Sequence, residues 1–380
     1  MSNIVANYNQ AERAGRATVS NRAIESFSLE LWNTLGYPFK VDSESELWRY
    51  HDSMQDGRFK ENLQIIGSYS EHDFDLITKT AKQILSFSER HLPIRNSGKH
   101  ALTRSLYQYQ LLMKYRPHNG PLRILEIGPG SGYLGLLLAN DGHQYFAMDA
   151  AQAFYLYQKK LWSDIYGADY FDYSESTSRL DTAKVTHIPW WQFANLSIPI
   201  PDVDVVTINH ALTEMHPQAV KTIFARLYSA WGDTDKKLVL AESMGYDYFK
   251  RKHATYADIR STGFFGGELI DTHRTWKPSI KKASLESKKL SEKQTFETRA
   301  SKRLSKRKDK LIAKLLRNQI GQQLAKLINR GPIHQNKIDS DSIAKTIVRT
   351  QTLHDFFENL IADERTQDEI FLKPLTGDIK

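Results

Sequence analysis

Hydrophobic positions along this chain follow two rhythms, and the change between them falls near residue 120. Before it, apolar side chains recur every three or four positions in Ala23 to Leu35, Glu44 to Met54, Asp73 to Arg90 and Leu102 to Tyr115, which predicts helices. Pro38, Pro93, Asn96-Ser97-Gly98 and the stretch Pro117 to Gly120 separate them. After it, short apolar runs alternate with helical spacing. The runs Ile124 to Ile127, Gln144 to Met148, Lys184 to Ile188, Val203 to Asn209 and Lys237 to Ala241 are predicted strands, with helices between them. Five such alternations predict an α/β fold: a doubly wound, Rossmann-like parallel sheet behind an N-terminal helical cap.

The first alternating unit, ILEIGPGSGYLGLLLA from Ile124 to Ala139, compresses a strand, a glycine-rich turn and a helix start. A helix N-terminus placed this way faces a ligand. Gly130-Ser131-Gly132-Tyr133-Leu134-Gly135 fits the dinucleotide fingerprint G-x-G-x-x-G, and Asp149 stands near the place of its ribose acid. Against that reading, Gly128 lies ahead of the fingerprint, Glu126 precedes it by two residues, and Pro129 separates the first two glycines. A tight turn with no ligand is the third reading.

Asp149 ends the second strand, where its carboxylate either accepts from a ribose diol or caps the helix starting near Ala150. Pro189-Trp190-Trp191 ends the third strand and offers either a stacking surface or core filling. The fourth strand runs into His210-Ala211-Leu212-Thr213-Glu214-Met215-His216-Pro217, with Pro217 at the first position of a helix through Ser229.

The spacing Glu126, Gly128, Gly130, Gly132 resembles motif I, E-x-G-x-G-x-G, of class I S-adenosylmethionine-dependent methyltransferases. EIGPGSGYLG, then MDAAQAFYLYQKKLW, then INHALTEM is further similar to the sugar O-methyltransferase family of bacterial polysaccharide loci. The positions that carry this likeness are Asp149, Gln158 to Leu161, Asn209, Glu214 and Met215. Ala211 departs from the hydroxyl residue usual in that family, and the basic tail described below has no counterpart there. The resemblance implies S-adenosyl-L-methionine as cofactor, bound by Glu126, Gly128, Pro129, Gly130, Gly132, Tyr133, Asp149, Ala150, Pro189, Trp190 and Asn209. It also implies transfer of a methyl group to a sugar hydroxyl of a polysaccharide or glycoconjugate.

A sulfonium methyl is already electrophilic, so the protein chiefly holds the acceptor oxygen in line, an effect that can reach roughly 7–11 kcal/mol. A sugar hydroxyl must also lose its proton. His210 is the candidate base, with Glu214 orienting it or acting itself; the competing reading of His210 is a hydrogen-bonded structural histidine. His216 and His187 are lesser candidates. No clustered pair of aspartates near the fourth strand demands Mg²⁺, so no metal is expected.

The 380 residues, 40% of them hydrophobic, suffice for a large core and more than one domain. The absence of cysteine excludes disulfides, thiolate catalysis and Cys-ligated zinc, and fits a reducing cytoplasm. The N-terminus is polar and no apolar run approaches membrane-spanning length, so a cytoplasmic protein without a transmembrane segment is expected.

The formal net charge of +8 belongs to one segment, since Lys277 to Arg330 holds 17 Lys/Arg against 4 Asp/Glu. Within it, Leu304, Leu311, Leu315, Leu316, Ile320, Leu324, Leu327 and Ile328 predict an amphipathic helix whose other side is basic. That side suits an anionic membrane surface, here the inner face, an acidic polysaccharide or nucleic acid; otherwise the leucines simply pack on the core. Two further readings of function therefore stand beside the sugar methyltransferase: a methyltransferase acting on RNA or another anion through this helix, and a non-enzymatic scaffold. Asn209-His210-Ala211-Leu212 is not the Asn-Pro-Pro-aromatic signature of nucleobase N-methyltransferases.

The expected organisation is a helical cap over 1–118, a methyltransferase core over 119–276, a basic helical segment over 277–335 and a C-terminal region over 336–380. That last region holds a helix from Ile343 to Ile361 and a late strand from Glu369 to Pro374. Gly263-Phe264-Phe265-Gly266-Gly267 reads as a flexible lid or an ordinary turn. Tyr107, Tyr109 and Tyr115 offer either sugar contacts or core packing.

Overall fold

A computed structural model describes residues 3–31, 38–52, 58–66, 69–176, 183–242, 256–270, 273–286, 288 and 352–360. Five helices precede the sheet: α1 (Ile4–Arg16), α2 (Asn21–Ser26), α3 (Phe59–Ile66), α4 (Glu71–His91) and α5 (Lys99–Tyr115). The sheet region then runs β1 (Arg123–Ile127), α6 (Tyr133–Asn140), β2 (Gln144–Asp149), α7 (Gln152–Tyr166), β3 (Tyr170–Asp172), β4 (Val185–Pro189) and α8 (Trp190–Ala194). It continues through β5 (Val205–Ile208), α9 (Pro217–Trp231), β6 (Leu238–Glu242), α10 (Tyr256–Arg260), β7 (Phe264–Ile270) and β8 (His273–Pro278).

The strand order is β3-β4-β2-β1-β5-β6-β8-β7, parallel through β6 and antiparallel at β8 and β7. This is the doubly wound, Rossmann-like α/β sheet that the alternation predicts. Without the edge strand β3, the first five strands follow the dinucleotide-fold order, but the sixth place is taken by the antiparallel β8 instead of a parallel strand. The fold therefore departs from a dinucleotide sheet at that edge. β1 lies between β2 and β5, the place where chain direction across the sheet reverses, and a ligand crevice opens at the carboxyl ends of such strands. Its run Ile124, Leu125, Ile127 is fully buried, as expected of a strand covered on both faces.

Helix caps explain several boundaries. Ser70 and Asp73 form a reciprocal capping box that starts α4, and Asn3 Oδ1 accepts from the Ala6 amide to start α1. α4 buries Leu76, Ile77, Ala81, Ile84 and Phe87, the stripe its periodicity predicts. A single apolar cluster runs from Val5 and Tyr8 through Leu125, Phe146 and Val206 to Leu353 and Phe357, so the N-terminal helices and the sheet share one core.

The structure also corrects the sequence reading. The helix expected over Ala23 to Leu35 ends at Ser26 and gives way to a short 3₁₀ turn, Leu29–Leu31. Ser26 Oγ donates back to Arg22 O and Ser28 Oγ to Glu30, local bonds that compete with the helix. Glu44 to Met54 becomes the 3₁₀ helix Glu44–Tyr50, because His51 and Asp52 leave it for buried partners described below. In the glycine-aromatic stretch at 263–267, Gly263 closes a turn and residues 264–267 begin strand β7 of the β7–β8 hairpin. Gly266 there has φ +114°, and a Cβ would meet Thr275 O at 2.6 Å. Residues 352–360 are helical, within the span expected from Ile343 to Ile361, and Phe357 sits edge-on to Phe59 at 5.5 Å. The predicted amphipathic helix and the late strand at Glu369 to Pro374 lie outside the described residues. α1, α3 and β3 had no counterpart in the sequence reading.

Candidate functional site

At the carboxyl edge of the sheet, β1 ends in the turn Gly128-Pro129-Gly130, all three residues half-buried, and the Gly128 amide donates to Met148 O at 2.8 Å. Gly128 has φ +71°, and an added Cβ would sit 2.5 Å from Ala211 Cβ. Only glycine suits that position, because the loop after β5 presses against the loop after β1. At Gly130 the same construction meets nothing within 4 Å, so the turn faces open space there.

Two buried carboxylates flank this turn. Glu126 is 2% exposed; one oxygen accepts from Tyr145 OH at 2.6 Å and the other from Asn209 Nδ2 at 2.8 Å. Burial pushes its pKa up to about 7, partly offset by those two hydrogen bonds. With both oxygens engaged, Glu126 braces the loop against β2 and β5. Asp149 accepts from the Ala151 amide at 2.9 Å and from Gln158 Nε2 at 2.9 Å, and burial raises its pKa to about 6. Gln158 Nε2 also donates to Gly130 O at 2.6 Å, which ties α7 to the glycine turn. Its buried Oε1 has no hydrogen-bond partner.

The loop after β5 is strained. His210 has φ +58° and ψ −37°, and the Ala211 amide donates back to Asn209 O at 2.6 Å, which closes a γ-turn of the rare positive-φ kind. His210 and Glu214 are both half-buried in this loop, and His216 caps α9 through Nδ1, which accepts from the Gln218 amide. Asn209 is fixed from a third side: His273 Nε2 lies 2.9 Å from its Oδ1. Because Asn209 Nδ2 must donate to Glu126, Oδ1 is the acceptor and His273 the donor.

The sequence-predicted residues divide accordingly. Glu126, Gly128, Pro129, Gly130, Gly132, Asp149, Ala150, Asn209, His210 and Glu214 stand at the carboxyl ends of β1, β2 and β5 or on the segments that follow them. Trp190 corrects the stacking expectation: it is 1% exposed, stacks on Phe27 at 5.6 Å and donates to Glu12 at 3.1 Å, so it seats the N-terminal helices. Pro189 is buried beside it at the end of β4. Tyr133 points into the N-terminal region, its hydroxyl 3.0 Å from Tyr157 OH and 3.2 Å from His51 Nδ1. His187 faces the core, stacked on Tyr155 at 3.6 Å, and burial lowers its pKa to about 3. Tyr109 donates to Asp141, and Tyr107 packs near His273.

Sequence reasoning missed the residues that hold the loops from outside: Tyr145, His273, and the pair His51 and Asp52. Ser131 Oγ donates to Tyr50 O at 2.9 Å, and Asp52, at φ +53°, accepts from the His100 and Ala101 amides at the start of α5. Burial holds the His51 pKa down to about 4, so its ring is a neutral link between Tyr157 and Asn96 O. Among the described residues no group of three or more His, Asp or Glu could hold a metal ion, and no helix is long and apolar enough to cross a membrane.

No protein-family model matches the chain, and no curated protein does. Solved structures do resemble it. A TehB-like SAM-dependent methyltransferase from Corynebacterium glutamicum is 11% identical at a TM-score of 0.32, over 45% of this chain and 87% of that one. The magnesium protoporphyrin IX methyltransferase of Synechocystis with bound SAH is 13% identical at 0.32, over 60% and 98%. An O-methyltransferase from neocarzinostatin biosynthesis, in complex with SAM and a naphthoic acid, is 13% identical at 0.31, over 47% and 58%.

Proposed function

We propose that the chain is an S-adenosylmethionine-dependent methyltransferase whose acceptor is a hydroxyl group, that of a sugar in a polysaccharide or glycoconjugate. The observation that carries this reading is the open space at Gly130, beside which Gln158 Nε2 joins the Gly130 carbonyl to the Asp149 carboxylate. Asp149 accepts from the Ala151 amide on one oxygen and from Gln158 on the other, with the Ala150 amide also close, and its remaining lone pairs suit the hydroxyls of a ribose. The backbone of the half-buried turn Gly128-Pro129-Gly130 would hold the rest of an adenosyl group. The cofactor supplies an activated methyl.

The chain's residues do the remaining work. Gly128, Pro129 and Gly130 shape the cradle, Glu126 holds it against Asn209, and the γ-turn fixes the His210 backbone beside it. The His210 imidazole takes the proton of the acceptor hydroxyl, with Glu214 next in the same loop, and such assistance is typically worth roughly 10²–10⁴-fold. Sugar selectivity rests on the resemblance in motif positions from Asp149 to Met215.

The test is transfer of label from methyl-labelled S-adenosylmethionine to acceptor fractions. Incorporation into the saccharide fraction that falls at least tenfold in His210→Ala supports the reading. Incorporation only into RNA or protein overturns the acceptor assignment.

A further inference from the structure

α1 turns one polar face toward a groove of about 600 Å³, which Asn9, Glu12, Arg13 and Arg16 of that helix line together with Ser28, Glu30 and Lys40. A volume of this order is that of a small-molecule site. Its three cations meet two carboxylates, and both carboxylates are committed. Glu12 Oε1 accepts from Arg16 at 3.0 Å and from Trp190 Nε1 at 3.1 Å. Glu30 accepts from Ser28 Oγ at 2.6 Å, a bond that holds its carboxyl below the usual range. Arg13 and Lys40 form no ion pair within 4.0 Å among the described residues, and the Lys40 charge helps hold the Glu30 carboxyl down from a longer distance.

Arg13 and Lys40, both lining the groove, supply a fork of guanidinium donors and three ammonium donors, and their two charges match those of a dianion. A phosphoryl group has that charge and accepts from several donors at once. The groove also abuts the proposed donor site. Asn9 Oδ1 accepts from Gln152 Nε2 at 2.7 Å, and Gln152 opens α7 three residues after Asp149. Glu12 holds Trp190 at the end of β4.

The geometry points to a second ligand site: this groove binds the phosphoryl group of a phosphorylated acceptor, a phosphate ester or diphosphate, through Arg13 and Lys40. The inference rests on the methyltransferase reading for the word acceptor, and on the groove alone for the anion.

The test uses the full chain in phosphate-free buffer, titrated calorimetrically with inorganic pyrophosphate, with UDP and, separately, with S-adenosylhomocysteine. Binding of pyrophosphate or UDP that weakens at least tenfold in the double variant Arg13→Gln/Lys40→Gln, with S-adenosylhomocysteine affinity unchanged, supports the site. UDP binding tighter than pyrophosphate then assigns a nucleotide-linked acceptor, and equal binding assigns recognition of the phosphoryl group alone. Binding unchanged in the double variant, or absent in the wild type, overturns the site. Failure of S-adenosylhomocysteine to bind is read in its own titration and overturns the donor reading, while the pyrophosphate arm still decides the groove.

Discussion

His273 donates to Asn209 across 2.9 Å although the two lie 64 residues apart in sequence, and so the antiparallel strand β8 sets the orientation of an amide at the end of β5. The other end of that amide donates to Glu126. Tyr145 donates to Glu126 from the other side, so His273, Asn209 and Tyr145 form a hydrogen-bond network that converges on Glu126, just ahead of the glycine turn. Removing one partner from a buried network costs about 1–3 kcal/mol.

His273→Leu therefore weakens S-adenosylhomocysteine binding about tenfold, equivalent to about 1.4 kcal/mol, because Asn209 loses the donor that fixes it. His273→Gln retains a donor and recovers most of the affinity. Calorimetric titration of both variants checks this; equal loss in both assigns His273 a packing role only.

Gly128→Ala and Gly130→Ala separate folding from binding. Both replace a left-handed glycine, at a cost of about 1–2 kcal/mol. At Gly128 the new Cβ also collides with Ala211, and the overpacking adds a further ~1–3 kcal/mol. At Gly130 it enters open space, so Gly130→Ala stays folded and loses donor binding. Thermal midpoints and S-adenosylhomocysteine titrations of the two variants give the comparison.

Glu126 binds its proton more tightly folded, near pH 7, than its ordinary value of 4.5 allows. Its contribution to stability is present below pH 4.5 and is lost as pH rises through about 7. Glu126→Gln removes that loss, so its thermal midpoint gains on the wild type as pH rises from 5 to 8, as measured by melting curves. A difference that stays constant with pH contradicts the burial of an ionisable carboxyl here.

His187 runs the other way. Its folded pKa of about 3 lies below the ordinary 6.5, so its contribution is present above pH 6.5 and drains away as pH falls toward 3. His187→Phe, which keeps a ring against Tyr155, flattens the acid limb of a melting-temperature profile between pH 6.5 and 4.5. An unchanged limb places the acid sensitivity elsewhere, with His51 next in line.

The sheet was legible because β1 is covered on both faces, so Ile124, Leu125 and Ile127 read as an apolar run bounded by glycine. Glu126 and Asp149 were legible through their spacing from that glycine turn. α1 was not, since its inward face is Val5, Tyr8, Glu12 and Gly15, of which one is charged and one has no side chain. Trp190 was visible as a residue but not in its orientation, which is set by Phe27 and Glu12 on helices whose docking no local pattern encodes. His273, His51 and Asp52 act through partners remote in sequence, and a lone histidine carries no spacing to read.

The most direct test is calorimetric titration of the full chain with S-adenosylhomocysteine, with Asp149→Ala as control and NAD as competitor. The account predicts one saturable site per chain, lost in Asp149→Ala and indifferent to NAD. Binding of NAD in place of S-adenosylhomocysteine, or no heat from either, contradicts it.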